Sequence, residues 1–221
     1  MALQSSDKDI ERVIDRTGDL VLGLERYIRE IELFNSAYGL VGASDTEELI
    51  IKHILDSLAP LGIISRLLAD EIHTSPIQIA DVGSGAGLPG IPLAVALPLC
   101  EFSLIERMGR RVGFLCNTKA VLSLSNVTIE ESDIEKIANE RGFNGRFNLV
   151  TFRAFKPLEP KLLKSLLNVC APGGLIAAYK GKREKIEAEM LPLRELCGQW
   201  EAIPYTVPFL DEERHLLVIR R

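Results

Sequence analysis

Apolar residues in the first third of the chain recur at steps of three and four, which is the spacing of one face of an α-helix. The predicted helices cover residues 7–38, 45–58 and a short stretch ending near residue 72. Gly18 and Gly23 interrupt the first of these patterns, so a bend or a break is expected there. We therefore predict an N-terminal helical extension over residues 1–74.

From Ile77 onward, short apolar runs alternate with amphipathic stretches. The predicted strands are 77–82, 102–106, 126–131, 147–152, 175–180, 201–207 and 215–220, and the predicted helices are 89–97, 109–124, 133–141, 158–170 and 183–198. This alternation predicts right-handed crossovers and a mostly parallel sheet in a second domain, residues 75–221. The short acidic loop before the last strand predicts an antiparallel hairpin near a sheet edge.

Composition fits a folded protein without a membrane span or a metal site. The apolar share is 47% and the charged share 26%, which excludes disorder over most of the chain. The four cysteines contain no Cys-x-x-Cys pair, so we expect four buried, reduced thiols and no zinc. The N-terminus is polar, and glycines and prolines break the longest uncharged stretch, Val82–Cys100, so we expect a cytoplasmic protein.

Charge is unevenly distributed along the chain. The net charge is −5, and residues 1–75 carry 14 acidic against 7 basic side chains. Between residues 153 and 185 there are 8 basic side chains and 2 acidic ones. A local basic face permits a polyanionic partner even when the whole chain is acidic, although each lysine taken alone is an ordinary surface residue.

A glycine loop follows the first predicted strand. Asp81-Val82-Gly83-Ser84-Gly85-Ala86-Gly87 precedes a helix with a proline in its first turn, an arrangement typical of a nucleotide pocket at the carboxyl end of a strand. Leu88 stands where the dinucleotide fingerprint needs a glycine, and no P-loop is present. The pattern is instead that of S-adenosylmethionine (AdoMet) methyltransferases, in which Asp81 would lie near the amino-acid end of the cofactor. Glu106, at the end of the second strand, is placed to accept hydrogen bonds from ribose hydroxyls.

Longer motifs resemble one bacterial family, the 16S rRNA guanine-N7 methyltransferases G, also called glucose-inhibited division protein B. The loop continues into Leu88-Pro89-Gly90-Ile91-Pro92, which is more specific than the glycines. Further matches are His53–Ser57, Arg153-Ala154-Phe155, Pro172-Gly173-Gly174, Lys180-Gly181 and Glu213–Leu216. The resemblance runs from about Phe34 to Arg221.

This resemblance implies an α/β, Rossmann-like class I AdoMet-dependent methyltransferase sheet of seven mostly parallel strands, the last one antiparallel, behind an N-terminal helical extension. The implied activity is methylation of N7 of one guanine in the decoding-region loop of 16S rRNA, with S-adenosylhomocysteine as product. With the loop and Glu106, the candidate cofactor-binding residues are Asp81, Gly83, Gly85, Gly87, Leu88, Glu106, Ile134, Glu135 and Arg153.

Guanine N7 has a free lone pair and no proton, so the transfer needs alignment rather than a general base. We predict Arg153, at the end of the fourth strand, as the catalytic residue facing cofactor and base; the alternative is an ion pair with a neighbouring acid. His53 and Asp56 lie three residues apart on one helical face, where they either dock the helices on the sheet or line the substrate pocket.

The RNA would be held through its phosphates. The candidate residues are Arg110, Arg111, Lys156, Lys161, Lys164, Lys180, Lys182, Arg183, Arg214 and His215. His215 is equally well interpreted as a surface residue. We expect a monomer whose partner is the small ribosomal subunit; an AdoMet methyltransferase with a protein or small-molecule acceptor is the alternative.

Several positions depart from the family pattern. Gly39 and Val41 replace an Asn and a Thr, and Asp133-Ile134-Glu135 stands where the family usually has Arg-Ala-Glu. If the missing polar groups help to hold the RNA, these changes alter substrate affinity or choice.

Overall fold

The computed structural model describes the backbone of residues 3–71 and 76–221, and the side chains of residues 17–69 and 76–221. The domain boundary predicted between residues 74 and 75 lies outside the described residues. The N-terminal helices are α1 (Leu3–Tyr38), α2 (Thr46–Leu49), α3 (Asp56–Leu58) and α4 (Leu61–Glu71), with a π-helical turn at Ile50–Leu55 between α2 and α3. After them, the helices of the sheet domain are α5 (Gly90–Ala96), α6 (Gly109–Val121), α7 (Ile134–Ile137), α8 (Pro160–Val169) and α9 (Arg183–Met190).

Helix α1 is continuous from Leu3 to Tyr38, so of the two expectations at Gly18 and Gly23, a bend or a break, the break does not occur. Gly23 has a packing role instead, because a Cβ atom there would lie 2.9 Å from Cγ1 of Val95 on α5. The missing side chain lets the two helices approach each other closely.

The helix predicted over 45–58 is interrupted in its middle. Asp45 caps α2, and its Oδ1 accepts a hydrogen bond of 2.8 Å from the Glu48 amide, as expected for an N-cap. The π-helical turn then inserts a wider turn before α3.

Seven strands form one sheet in the described part of the chain. They are β1 (Gln78–Val82), β2 (Glu101–Glu106), β3 (Val127–Glu131), β4 (Phe147–Arg153), β5 (Cys170–Lys180), β6 (Trp200–Val207) and β7 (Leu210–Arg220). Their order is β3-β2-β1-β4-β5-β7-β6, and β7 runs antiparallel to both of its neighbours. This confirms the predicted fold class and the hairpin. The strand order reverses between β1 and β4, which is where open α/β sheets bind their ligands.

Several element ends differ from the predicted ones. Helix α7 has four residues rather than the predicted nine, and α9 ends at Met190, before a short 3₁₀ turn that contains Pro192. Strand β7 begins at Leu210, so the residues expected to form an acidic loop lie on the strand. The connecting turn is only two residues long, so Leu210 pairs with Val207, and the acidic residues lie at the register shift between this pair and the pair Tyr205–Arg214.

Apolar side chains pack on both faces of the sheet. On one face, Tyr27 and Ile64 from the N-terminal helices share a cluster with Ile79 of β1. On the other face, Leu162 of α8 packs with Ala80. Alternate residues of a strand point to opposite faces, so the strands of a parallel sheet that is covered on both faces have continuous apolar sequences. The N-terminal helices and the sheet therefore share one core.

The cysteines only partly match expectation. Cys100, Cys170 and Cys197 are buried free thiols, but Cys116 is exposed, because it lies on the solvent side of α6.

Among the described residues no helix is long and apolar enough to cross a membrane, and no group of three His, Cys, Asp or Glu side chains could hold a metal ion.

Candidate functional site

The glycine loop makes a tight turn between β1 and α5. The Gly83 amide donates to the Ile105 carbonyl at 2.8 Å, which ties the loop to the end of β2. Gly83 has a φ of +68°, in the left-handed region that favours glycine. The Tyr27 hydroxyl donates to the Ala86 carbonyl at 2.7 Å, so helix α1 supports the loop from behind.

Asp81 lies beneath the loop rather than in the cleft. Its carboxyl is fully buried, and Oδ2 accepts from the Gly90 amide at 3.0 Å, while Oδ1 has no hydrogen-bond partner among the described residues. Burial raises the pKa of Asp81 to about 7. A Cβ atom at Gly90 would lie 2.6 Å from Asp81 Oδ2, so the two residues fit together at the start of α5. Asp81 therefore contacts the backbone at the start of α5 and does not line the cleft.

Glu106 is the carboxylate at the end of β2, and it lines the cleft. It is almost fully buried, and its two oxygens accept from the Gly85 amide at 2.9 Å and from the Met108 amide at 2.8 Å. A carboxylate has about four acceptor positions, so each oxygen of Glu106 can still accept a second hydrogen bond. Arg111 Nη1 lies 4.0 Å from Glu106 Oε2, at the mouth of the cleft.

A cleft of about 180 Å³ joins these groups at the switch point. It is lined by Val82, Gly83, Ile105, Glu106, Arg107, Met108, Arg111, Ser132, Asp133, Ile134, Ala154 and Phe155. The Ser132 hydroxyl is buried there without a hydrogen-bond partner among the described residues. Asp133 caps α7 by accepting from the Glu135 amide at 2.9 Å.

Phe155 covers part of the glycine loop. A Cβ atom at Gly83 would lie 2.3 Å from Cδ2 of the Phe155 ring, so ring and loop backbone are in direct contact. Ala154, just before it, has a φ of +49°, which is unusual for a residue with a side chain. The contact explains why the cleft is smaller than the ~300–1,000 Å³ usual for ligand pockets. A larger groove, of about 750 Å³, lies at the opposite edge of the sheet, away from the loop.

The Glu135 side chain does not line the cleft. It forms ion pairs with Lys156, at 2.7 Å, and with Lys161. Hydrogen bonds from these two lysines lower the pKa of Glu135 to about 2. The predicted cofactor contact at this position would therefore have to come from the backbone, and two of the predicted RNA-binding lysines have a carboxylate partner.

Arg153 ends β4, and its guanidinium is engaged by the N-terminal helices. Nη1 donates to the Lys52 carbonyl at 2.9 Å and to Asp56 Oδ2 at 3.0 Å, and Nη2 lies 3.0 Å from His53 Nδ1. Burial, and then the charge of Arg153, lower the pKa of His53, so its imidazole accepts from the guanidinium. The ion pair with a neighbouring acid, which the sequence left open, is present in the structure.

Asp56 also contacts the other side of the site. Its Oδ1 accepts from the Tyr205 hydroxyl at 3.1 Å and lies 3.3 Å from Arg214 Nε. The Tyr179 hydroxyl donates to the Ser57 carbonyl at 2.8 Å, one residue further along. His53 and Asp56 stand out in the sequence by their helical spacing, whereas Tyr205 does not, because no local pattern links residues 149 positions apart.

The remaining predicted RNA-binding residues fall into different environments. Lys180 pairs with Glu189 at 2.8 Å, and Arg183 pairs with Glu187 at 3.0 Å. His215 is buried, and its Nδ1 lies 2.8 Å from the Gly181 carbonyl, so it is not a surface residue. Arg110 is exposed with its guanidinium 5.9 Å from the centre of the Tyr38 ring, and Lys182 is exposed at the start of α9. Lys164 lies apart, in a depression with Asn139, Asn168 and Arg221.

The sheet order, the antiparallel β7 and the cleft at the β1–β4 switch point define a class I methyltransferase fold. Solved structures of similar fold include the tRNA (m1A58) methyltransferase of Aquifex aeolicus, with a TM-score of 0.56 and 15% identity over 75% of this chain and 68% of that one. A SAM dependent methyltransferase of the same organism has a TM-score of 0.55 and 14% identity, covering 75% of this chain and 91% of that one.

Sequence comparison identifies the family. The family model described as GidB, rRNA small subunit methyltransferase G, matches residues 22–217, and the chain belongs to this family, whose function is methylation of small-subunit rRNA. Relatives called ribosomal RNA small subunit methyltransferase G include that of Treponema denticola, 38% identical over 90% of this chain and 85% of the relative. The Klebsiella pneumoniae protein of that name is 35% identical over 96% of both chains.

Proposed function

We propose that this protein transfers a methyl group from AdoMet to N7 of a guanine in the decoding-region loop of 16S rRNA, releasing S-adenosylhomocysteine. The observation that carries the proposal is the cleft at the β1–β4 switch point, formed by the glycine loop and the Glu106 carboxylate, in a chain of this family. The partner is the small ribosomal subunit in the cytoplasm, and the protein acts as a monomer.

The cleft residues fit AdoMet. Glu106 has spare acceptor positions for ribose hydroxyls, and the buried Ser132 hydroxyl lacks a partner among the described residues. Backbone groups at Gly83, Leu88 and Ile134 complete the proposed contacts. The cofactor would supply an electrophilic methyl group on a sulfonium centre. Phe155 must move away from Gly83 to make room, because the two are in contact.

The chemistry asks the protein for orientation rather than proton transfer. Guanine N7 attacks through a lone pair, so the residues around the cleft need only align it and exclude water, an effect worth ~7–11 kcal/mol in well-organised cases. His53 accepts from Arg153 through Nδ1, and neither His53 nor His215 lines the cleft, so neither is placed to act as a base there. Arg153 contributes by fixing the end of β4, from which Ala154 and Phe155 continue into the cleft.

RNA phosphates would bind first to Arg110 and Lys182, which are exposed and form no ion pair with a carboxylate among the described residues. Arg111 is partly exposed beside the cleft, where it lies 4.0 Å from Glu106. The other basic candidates could contribute by exchanging a protein carboxylate for a phosphate. A pocket of about 540 Å³ lies between α9 and the β6–β7 hairpin and holds as many acidic as basic side chains. Because this balance of charge suits RNA less well, it is the observation that favours the alternative, a protein or small-molecule acceptor.

The test is methylation with labelled AdoMet in separate reactions that contain small subunits, large subunits, bulk tRNA or bulk protein. Label confined to small subunits, with one site of borohydride and aniline cleavage, would support guanine N7 and locate the nucleotide. Label in the protein fraction would support the alternative acceptor. Glu106→Ala, which removes the proposed ribose contact, should abolish labelling in every reaction.

A further inference from the structure

The Asp56 carboxylate lies between two arginines that come from opposite sides of the site. Its Oδ2 is 3.0 Å from Arg153 Nη1 at the end of β4, and its Oδ1 is 3.3 Å from Arg214 Nε on β7. We propose that Asp56 is a positioning residue for methyl transfer: it fixes both arginines, so that the N-terminal helices set the geometry of the cofactor cleft and of the RNA edge. This inference rests on the proposed function.

The π-helical turn gathers three acceptors around one guanidinium. The Lys52 carbonyl, the His53 imidazole and the Asp56 carboxylate all contact Arg153, and all three belong to this turn or to the residue that follows it. π-Helical turns are rare and frequently occur at functional sites. A planar guanidinium held at both terminal nitrogens has a fixed orientation, which a single ion pair would not give.

Because the side chains of this ion-pair cluster are largely buried, the position of both arginines depends on the charge of the Asp56 carboxylate. The side chains of Arg153, Asp56 and Arg214 are 12%, 7% and 18% exposed. Two guanidiniums around one carboxylate leave one positive charge unbalanced, and Glu212 on the exposed side of Arg214 balances it at 2.9 Å. Loss of the carboxylate would leave two largely buried cations without their shared partner.

Arg153 transmits the position of Asp56 to the cleft through the chain. Ala154 and Phe155 follow it directly, and both line the cleft. Arg153 Nε is buried without a hydrogen-bond partner among the described residues. An unpaired buried donor is costly, so the guanidinium depends on its remaining contacts to stay in place.

The first test is a double-mutant cycle. Asp56→Asn keeps the side-chain shape and removes the charge. Arg153→Lys keeps the positive charge and removes the planar guanidinium that bonds to Asp56. We expect Asp56→Asn to weaken AdoMet binding at least tenfold by calorimetry, and to weaken it less than twofold in the Arg153→Lys background. Independent, multiplicative effects, or an unchanged dissociation constant with only a lower melting temperature, would overturn the proposal.

A milder pair of variants decides the question if Asp56→Asn does not fold. Tyr205→Phe removes one hydroxyl bond to Asp56, whereas Tyr179→Phe removes a matched hydroxyl bond to the neighbouring Ser57 carbonyl. A positioning role predicts that Tyr205→Phe weakens AdoMet binding about threefold more than Tyr179→Phe. Equal effects would mean that Asp56 only docks the helices.

The readout separates this inference from the proposed function. AdoMet affinity is measured without RNA, so it does not depend on the acceptor. If the wild-type protein binds AdoMet but labels no small subunits, the proposed function fails while the cycle still tests Asp56. If label and cleavage are as proposed but the cycle is multiplicative, only the role of Asp56 is overturned.

Discussion

Two constraints favour glycine in the loop, a positive backbone φ and close contact with a neighbouring side chain, and they act at different residues. Gly83 and Gly85 have similar positive φ values, +68° and +59°. A Cβ atom at Gly83 would overlap the Phe155 ring, whereas at Gly85 the nearest described atom would be 3.8 Å away. The same substitution at the two positions therefore distinguishes backbone strain from steric overlap.

We expect Gly83→Ala to cost more stability than Gly85→Ala and to weaken AdoMet binding at least tenfold, because its methyl group would occupy the space that Phe155 must vacate for the cofactor. Both variants carry the cost of a left-handed residue, about 1–2 kcal/mol, but only Gly83→Ala must also displace Phe155. Urea denaturation gives the free energies of unfolding, and calorimetry gives the affinities. Equal losses at the two positions would contradict the contact with Phe155.

The buried Asp81 carboxyl predicts a pH-dependent stability. Its folded-state pKa, about 7, lies above its ordinary value of 3.8, so the native state binds a proton that the unfolded chain has lost. The stability contribution is thus present below pH 4 and is lost as the pH rises to about 7, by an amount on the order of 4 kcal/mol at most. Urea denaturation from pH 4 to 8 should show this fall in the wild type relative to Asp81→Asn. A constant difference between the two proteins would show that Asp81 is ionised throughout.

The sequence indicated which residues matter at this scale better than it indicated their partners. Asp81 and Glu106 stand out by their positions at the ends of strands, but their hydrogen bonds to backbone amides form only when the loop folds.

The departure from the family pattern at Gly39 has a local explanation. Gly39 ends α1 with a φ of +59°, and its amide bonds to the Asn35 carbonyl at 2.8 Å. Asn and Gly both tolerate this conformation, so the turn does not require the Asn of the family pattern.

Strands were easier to predict than helix ends. Strands β1, β2 and β4 are short apolar runs that are buried along most of their length, so their positions were predicted correctly. The π-helical turn at Ile50–Leu55 was missed, since one added residue per turn hardly disturbs a three-and-four spacing. The continuity of α1 through Gly18 and Gly23 was missed because packing against α5 outweighs the low helix propensity of glycine.

The two glycines of α1 provide a prediction about helix packing. No described atom lies within 4 Å of a Cβ built at Gly18, whereas one at Gly23 would contact Val95 at 2.9 Å. Gly18→Ala should raise the free energy of unfolding by about 0.5–1 kcal/mol through helix propensity alone. Gly23→Ala should gain less or destabilise, because Val95 must shift. Thermal and urea denaturation of both variants test this, and an equal gain would mean that α1 and α5 are not in close contact.

Across the whole molecule, basic residues lie at the edge of the sheet that carries the cleft. Helix α6 begins there with Arg110 and Arg111 and has no acidic residue in its first turn. Positive charge at a helix N-terminus opposes the helix dipole, so the dipole does not favour arginines at these two positions. They are instead well placed for a polyanion that approaches the cleft.

Two cations at opposite ends of α6 provide a matched test of this surface. Arg110 lies in the first turn and Lys119 in the last turn. Arg110→Gln should weaken binding to small subunits and reduce the slope of log K against log salt by about 0.7–0.9, which corresponds to one phosphate contact. Lys119→Gln should leave that slope unchanged. Filter binding at several salt concentrations measures both, and equal slopes would place the RNA elsewhere.

The position of β7 has a consequence for synthesis on the ribosome. It is the last of the seven described strands in the chain, yet it lies between β5 and β6. Translation at ~5–20 residues per second takes roughly 10–40 seconds for a chain of this length. Until β7 has been synthesised, β5 has no strand on its outer side and β6 has no strand to pair with, whereas the cleft strands β1, β2 and β4 can already pair. Emergence of β7 therefore completes the sheet in a single step, and a chain that lacks β7 has an open sheet edge that promotes aggregation.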